Sequence, residues 1–215
     1  MKFYHFPILL LACFSLTNCS SQNSNHHNSY QTTALKEGLS TAYFASGCFW
    51  CVEAIYQSVK GVDEAISGYS GGRTQNPTYR QVGTNKTGHA EAAEVHYDAS
   101  LVSFETLVKV YYASHDPTTV NGQHPDYGSS YRSIIFYQNE EEKNIAKKYK
   151  ELVAADYDKP IATEITAFEK FWPAEDYHQD FEKRNPNQPY VRAVSIPRLK
   201  RFQAKHPELL KGEGH

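Results

Sequence analysis

Cys48 and Cys51, set three positions apart in Gly47-Cys48-Phe49-Trp50-Cys51, are the residues of this 215-residue chain whose type and spacing point most directly to chemistry. Val52, Ile55, Tyr56 and Val59 recur at helical spacing and predict a helix over 49–60, which puts Cys48 at its start. A thiol there faces unpaired backbone N–H groups and the positive end of the helix dipole, and both favour thiolate below the reference pKa of about 8.5. Cys51 lies one turn on, where its sulfur can reach an oxidised Cys48 and close a disulfide. Phe49 and Trp50 place apolar surface beside that sulfur, which suits a methyl or thioether group. Half of a zinc site uses the same spacing, but no second Cys-x-x-Cys and no His-x-x-x-His completes it. A static disulfide across so small a loop stabilises little, which leaves redox use as the favoured reading.

The surrounding pattern supplies the elements that must hold the pair. Residues 41–45 read as a strand ended by Gly47; 62–69, 92–97, 132–138 and 163–168 read as further strands. An amphipathic helix is expected over 103–114, and Asn139 caps another with acidic Glu140, Glu141 and Glu142 in its first turn and a buried stripe of Ile145, Tyr149, Leu152 and Val153. Strands and helices interleaved in this way imply a two-layer α+β domain with a sheet covered by helices. Gly71-Gly72 is read as a turn, since no Gly-Lys-Ser/Thr follows to make a phosphate loop.

Composition narrows the partners. With 22 Lys+Arg against 24 Asp+Glu the net charge is -2, which offers no surplus for nucleic-acid phosphates. The 40% hydrophobic content suits one packed domain. Lys2 followed by an apolar run over 6–16 reads as an export signal, too short to span a bilayer. Leu16-Thr17-Asn18-Cys19-Ser20-Ser21 resembles a bacterial lipoprotein cleavage box, with Cys19 as the lipidated first residue of the mature chain. The expected organisation is a signal over 1–18, a polar tether over 19–38 that includes His26 and His27, the folded domain over 39–200 and a tail over 201–215. That makes the protein an exported, membrane-anchored lipoprotein of a bacterial cell envelope. If Cys19 carries lipid and Cys13 leaves with the signal, thiol chemistry must use Cys48 and Cys51.

Beyond the cysteine pair, Gly47-Cys48-Phe49-Trp50-Cys51-Val52-Glu53 is followed by Gly68-Tyr69-Ser70-Gly71-Gly72, Asn76-Pro77-Thr78-Tyr79, Gly88-His89-Ala90-Glu91-Ala92 and Tyr131-Arg132-Ser133. In this order, from about Tyr43 to Val194, the chain resembles the peptide-methionine (S)-S-oxide reductases, the A-type methionine sulfoxide reductases. The resemblance implies a ferredoxin-like two-layer α+β fold with a mixed sheet, and reduction of the S epimer of methionine sulfoxide, free or in proteins. It implies Cys48 as nucleophile, Glu91 as the acid for the sulfoxide oxygen, Phe49 and Trp50 as the methyl pocket, and Tyr79, Tyr131 and Asp126 as substrate-binding groups. His178, in Ala174-Glu175-Asp176-Tyr177-His178-Gln179, matches a family motif without an assigned role. No cofactor or metal is expected; the partners are oxidised proteins or free methionine sulfoxide, an external reductant such as a thioredoxin-like dithiol protein, and a membrane through the N-terminal lipid, with the chain acting as a monomer. Two departures stand out: Asn121-Gly122-Gln123-His124-Pro125-Asp126 replaces the usual glycine-asparagine-aspartate approach, and the segment after Arg201 holds no resolving cysteine. Cys51 is therefore the intramolecular candidate for closing the disulfide.

The chemistry accounts for these residue types independently. A sulfoxide oxygen leaves sulfur only once protonated, so thiolate attack needs a carboxylic acid or phenol bonded to that oxygen. Burial beside Phe49 and Trp50 would raise the pKa of Glu91 from about 4.3 toward neutrality. The alternatives are an exported thiol-disulfide oxidoreductase, which would use Cys48 and Cys51 without Glu91 or the tyrosines, and a tethered metal-binding or adhesion module using histidines and aromatics.

Overall fold

A computed structural model describes residues 1–2 and 35–212. The expected signal, Cys13, Cys19 and most of the tether lie outside the described residues. The chain runs through β1 (Ser40–Ser46), α1 (Phe49–Gln57), β2 (Val62–Ser70), α2 (Tyr79–Val82), β3 (Ala90–Tyr97), α3 (Phe104–Ala113), β4 (Gly122–Gln123), β5 (Asp126–Tyr127), β6 (Ser133–Tyr137) and α4 (Glu140–Ala154). It continues through β7 (Glu164–Ala167), β8 (Phe171–Pro173), α5 (Phe181–Arg184) and α6 (Ile196–Lys205).

Six strands form one sheet in the order β7-β6-β1-β3-β2-β8. Its centre, β6-β1-β3-β2, is antiparallel throughout, and β7 joins β6 in parallel. The succession β1-α1-β2-β3-α3-β6 is thus a split βαβ repeat, the ferredoxin-like arrangement, and the sheet is mixed as the resemblance implies. Side chains alternate across the pleat. Ala42 and Phe44 of β1 join Val52, Ile55 and Tyr56 of α1 and Leu107, Val108 and Tyr111 of α3 in the larger core. Tyr43 and Ala45 face the other way, with Ile66, Ala92, Ile134, Phe136 and Phe171, where Tyr43 stacks on Phe168 at 3.8 Å between ring centroids. That second face is closed partly by the chain around β8 rather than by a helix.

Two sequence readings are corrected. In α4 the buried face is Glu142, Ala146 and the partly buried Ile145, Tyr149 and Val153, while Leu152 is 55% exposed, because it lies off the face set by the i, i+4 pairs. The segment after residue 200 is not a tail: α6 continues to Lys205, Phe202 is 1% exposed in the main core, and Leu210 pairs with Val59. Phe202 packs because it shares a helical face with Leu199.

Candidate active site

Gly47 makes the turn that places the cysteines. Its φ of +85° lets the chain leave β1 and enter α1 at once, and a Cβ there would meet Gln123 Cβ at 2.7 Å. Cys48 is then the residue preceding the first helical turn, 6% exposed, with no hydrogen bond from its side chain to the helix backbone. The Phe49 N–H instead donates to Glu91 Oε2 at 3.0 Å. Glu91 comes from β3, paired with Tyr69 of β2, and is 3% exposed. Burial raises its pKa to about 8 against the opposing Phe49 hydrogen bond, so the group is chiefly a carboxylic acid at neutral pH. Among the described residues Oε1 has no hydrogen-bond partner, which leaves it able to engage a ligand.

The expectation that the helix start lowers the Cys48 pKa is corrected. Burial pushes this thiol up, and the hydrogen bond and charge of Cys51 and the Glu91 charge push the same way; the Tyr190 hydroxyl opposes them. The physical reason is burial: Cys48 is 6% exposed, and the Phe49 N–H beside it is given to Glu91. Cys51 behaves oppositely. Its pKa falls to about 6, led by the Cys48 hydrogen bond, then by the Arg198 charge and Ser195 hydroxyl acting against burial. The environment thus drives the two thiols apart, Cys48 toward the thiol and Cys51 toward the thiolate.

The aromatic floor is largely consumed by packing. Phe49 is 1% exposed, with His178 at 4.9 Å, Tyr69 at 5.9 Å and Tyr79 at 6.1 Å between ring centroids. Trp50 stacks on Phe181 at 3.8 Å and donates its Nε1–H to His178 Nδ1 at 3.2 Å. Burial lowers the His178 pKa to about 4, so the ring is neutral, and accepting at Nδ1 places its hydrogen on Nε2. That gives His178 a positioning role for Trp50.

Tyr79 and Tyr131 are partly buried and remain phenols at neutral pH: burial, then the Glu91 charge, raises Tyr79 to about 12 and raises Tyr131 as well. Both also sense Cys48 and Asp126, so the residues named from the sequence do gather around one sulfur. Asp126 accepts from the Tyr190 hydroxyl, and burial raises its pKa. Glu175 is a support that the sequence reading quoted but left unused: it accepts from Tyr69 Oη at 2.9 Å and from the Tyr79 N–H at 3.0 Å. Tyr190, Ser195 and Arg198 were missed altogether. Among the described residues no three of His, Cys, Asp and Glu are gathered to hold a metal ion.

A vicinal thiol pair beside a protonated carboxyl and two phenols, on a split βαβ sheet, defines a thiol-dependent oxidoreductase that protonates an oxygen. A family model described as peptide methionine sulfoxide reductase matches residues 40–210. The peptide methionine sulfoxide reductase MsrA 1 of Rhodopirellula baltica is 45% identical over 179 residues, covering 83% of this chain and 93% of the relative. That of Pasteurella multocida is 42% identical over 170 residues, covering 79% and 98%. Methionine sulfoxide reductase A of Corynebacterium diphtheriae superposes with a TM-score of 0.65 at 34% identity, covering 70% of this chain and 77% of that one. Reduced Mxr1 from Saccharomyces cerevisiae gives 0.65 at 29%, covering 70% and 87%. The chain belongs to the peptide methionine sulfoxide reductase family. It reduces methionine sulfoxide to methionine, and the reading as a thiol-disulfide exchange protein is not favoured.

Proposed function

We propose that Cys48 attacks the sulfoxide sulfur while Glu91 hands its proton to the oxygen. Cys51, whose surroundings favour its thiolate, accepts the Cys48 proton across their shared hydrogen bond as Cys48 attacks and so generates the nucleophile where it is needed. The Cys48 sulfur bonds to the substrate sulfoxide; oxygen moves to Cys48 with the Glu91 proton, methionine leaves, and Cys48 becomes a sulfenic acid. Tyr79 and Tyr131 hold the oxygen as hydrogen-bond donors, Phe49 and Trp50 border the methyl group, and Asp126 fixes the far side of the pocket through Tyr190. Cys51 condenses with the sulfenic acid to a disulfide and water before further oxidation. An external dithiol, of the thioredoxin-like kind, then restores both thiols. The substrate is the S epimer, free or in proteins. The signal-like run over 6–16 and the box ending in Cys19 support an exported protein held to a membrane by lipid, with the catalytic domain acting as a monomer.

The single observation that carries this reading is the buried Glu91 carboxyl, tied at 3.0 Å to the N–H next to Cys48 and with a pKa near 8. It places a proton donor beside a sulfur nucleophile, which disulfide exchange does not require. The test is methionine released per enzyme from the separate S and R epimers, with and without dithiol. We expect about one methionine from the S epimer without reductant, continuous turnover with it, and none from the R epimer. Equal release from both epimers would overturn the assignment.

A further inference from the structure

The second half of the cycle depends on groups other than those that protonate the sulfoxide. Cys51 is 1% exposed, and its Sγ lies 3.1 Å from Ser195 Oγ, itself fully buried. Ser195 ends a π-helical turn, Val191–Ser195, that runs directly into α6. Pro197, in the first turn of α6, has no N–H to give to the carbonyl four residues back, and the widened turn just upstream absorbs that gap. Such turns are uncommon and concentrate at functional sites. Arg198 follows Ser195 by three residues, on the same helical face.

Arg198 is 8% exposed, and its guanidinium is fixed by Nε–H to the Ser114 carbonyl at 2.8 Å and by a second N–H to Ser46 Oγ at 3.1 Å. Another nitrogen lies 3.6 Å from where a Gly47 Cβ would be, against the junction that carries Cys48. Among the described residues no carboxylate lies within ion-pair distance of it. With Cys51 it lines a cavity of about 500 Å³ shared with Asp126 and Tyr190. A buried guanidinium whose N–H groups are given to neutral oxygens, which lines one cavity with Cys51 and whose charge reaches Asp126, Glu182 and Cys51, favours a sulfur anion there.

We propose that Ser195 and Arg198 are positioning residues that hold the Cys51 sulfur as an anion during disulfide closure and reopening. The inference rests on the sulfoxide-reductase reading above. The Cys48 thiol is the leading group that favours the Cys51 thiolate before reaction, and oxidation to the sulfenic acid consumes that thiol. When Cys51 must attack, the Ser195 hydroxyl and the Arg198 charge are the stabilisers that the reaction has not altered. Cys51 passes the proton it took from Cys48 to the Glu91 carboxylate left by the first half of the cycle; the Cys51 anion bonds to the Cys48 sulfur, the S–O bond breaks, and the departing hydroxide takes that proton back from Glu91 and leaves as water. In reopening, an external thiolate attacks the Cys48 sulfur, the S–S bond breaks and Cys51 leaves as the anion; a second external thiol then frees Cys48 and carries off the disulfide. A sulfur stabilised as anion is the better leaving group, so the same two residues direct attack to the Cys48 side. Among the described residues the groups whose charge bears on Cys51 are Asp126, Glu91, Glu182, Tyr190, Cys48 and the cation Arg198, and the cavity they share is also lined by His115, Asp116, His124, Arg201 and Lys205.

The experiment follows full-length enzyme mixed with one equivalent of S methionine sulfoxide without reductant, reading methionine release and, by a sulfenic-acid-specific dimedone probe, the lifetime of the intermediate against pH. Ser195→Ala and Arg198→Lys are compared with Arg198→Met. We expect release of about one methionine in each variant, a sulfenic acid that persists at least about tenfold longer in Ser195→Ala and Arg198→Met, and a closure midpoint moved upward by about one pH unit or more. Arg198→Lys, which keeps the charge, should restore most of the closure rate. Wild-type lifetimes and midpoints in both Ser195→Ala and Arg198→Met would overturn the proposal while leaving the sulfoxide reading intact. Absence of the methionine burst in wild-type enzyme would instead remove the reading on which it rests.

Discussion

Glu91 Oε2 accepts the N–H of Phe49 at 3.0 Å, so the acid of β3 is fastened to the residue immediately after Cys48. One hydrogen bond thereby ties the proton donor to the residue next to the nucleophile, and the Glu91 charge is among the groups that raise the Cys48 thiol, after burial and Cys51.

Glu91→Gln keeps that acceptor and the side-chain shape but removes the proton. First-turnover methionine release should slow by roughly 10²–10⁴-fold with little change in substrate binding. The pH profile gives a second readout: Glu91 is a donor below its pKa of about 8, so wild-type release should decline as pH rises through that value. The Gln variant should lack this limb. Rapid-quench assays from pH 6 to 9 would check both.

Cys51→Ser leaves Cys48 without its proton acceptor and without its resolving partner. One turnover should survive at reduced rate and steady-state turnover with a protein dithiol should fall sharply. The unresolved sulfenic acid should appear as a dimedone adduct at Cys48 in peptide mass spectra. Steady-state turnover equal to wild type would make the second thiol dispensable.

Glu53 is a buried carboxyl of a different kind. It is 2% exposed on the buried face of α1, accepts from Ser67 and from the Asp180 N–H, and burial raises its pKa to about 8. Since the folded value lies above the unfolded one, its contribution to stability is fully present below about 4.5 and is lost as pH rises toward 8. Melting temperature should therefore fall more steeply between pH 5 and 8 in wild type than in Glu53→Gln, with the two closest at the acid end. Parallel melting curves across that range would contradict the burial assignment.

Phe202→Ala tests whether the chain after residue 200 belongs to the domain. Removing a ring that is 1% exposed should cost about 3–5 kcal/mol. At roughly 2–4 °C for each kcal/mol, the shift would be plain in a thermal melt.

How much of this was legible in the sequence follows from the range of each signal. The split βαβ core was readable because Val52, Ile55 and Tyr56 repeat at helical spacing and the strands alternate over several residues. Short elements gave no such period: α2, α5 and β8 are held by neighbours distant in the chain, as the pairing of Gly68 with Pro173 illustrates. Cys48 and Cys51 announced themselves by spacing, and Glu91, Tyr79, Tyr131 and Asp126 by family motif. The direction of the Cys48 pKa was misread because the burial that raises it comes from packing between distant parts of the chain, as does the Glu91 charge on β3. Ser195 lies 144 positions from Cys51 and carries no local mark, and the π turn that aims it is not written in any periodicity. Tyr190 was hidden for the same reason, since its contact with Asp126 spans 64 positions.

The most direct test of the central claim is a single-turnover measurement with Cys48→Ser beside wild-type enzyme, each given excess S methionine sulfoxide and no reductant. Wild type should release about one methionine per chain and lose both free thiols as Cys48 and Cys51 join; Cys48→Ser should release none. Methionine release by Cys48→Ser at the wild-type rate would contradict the account.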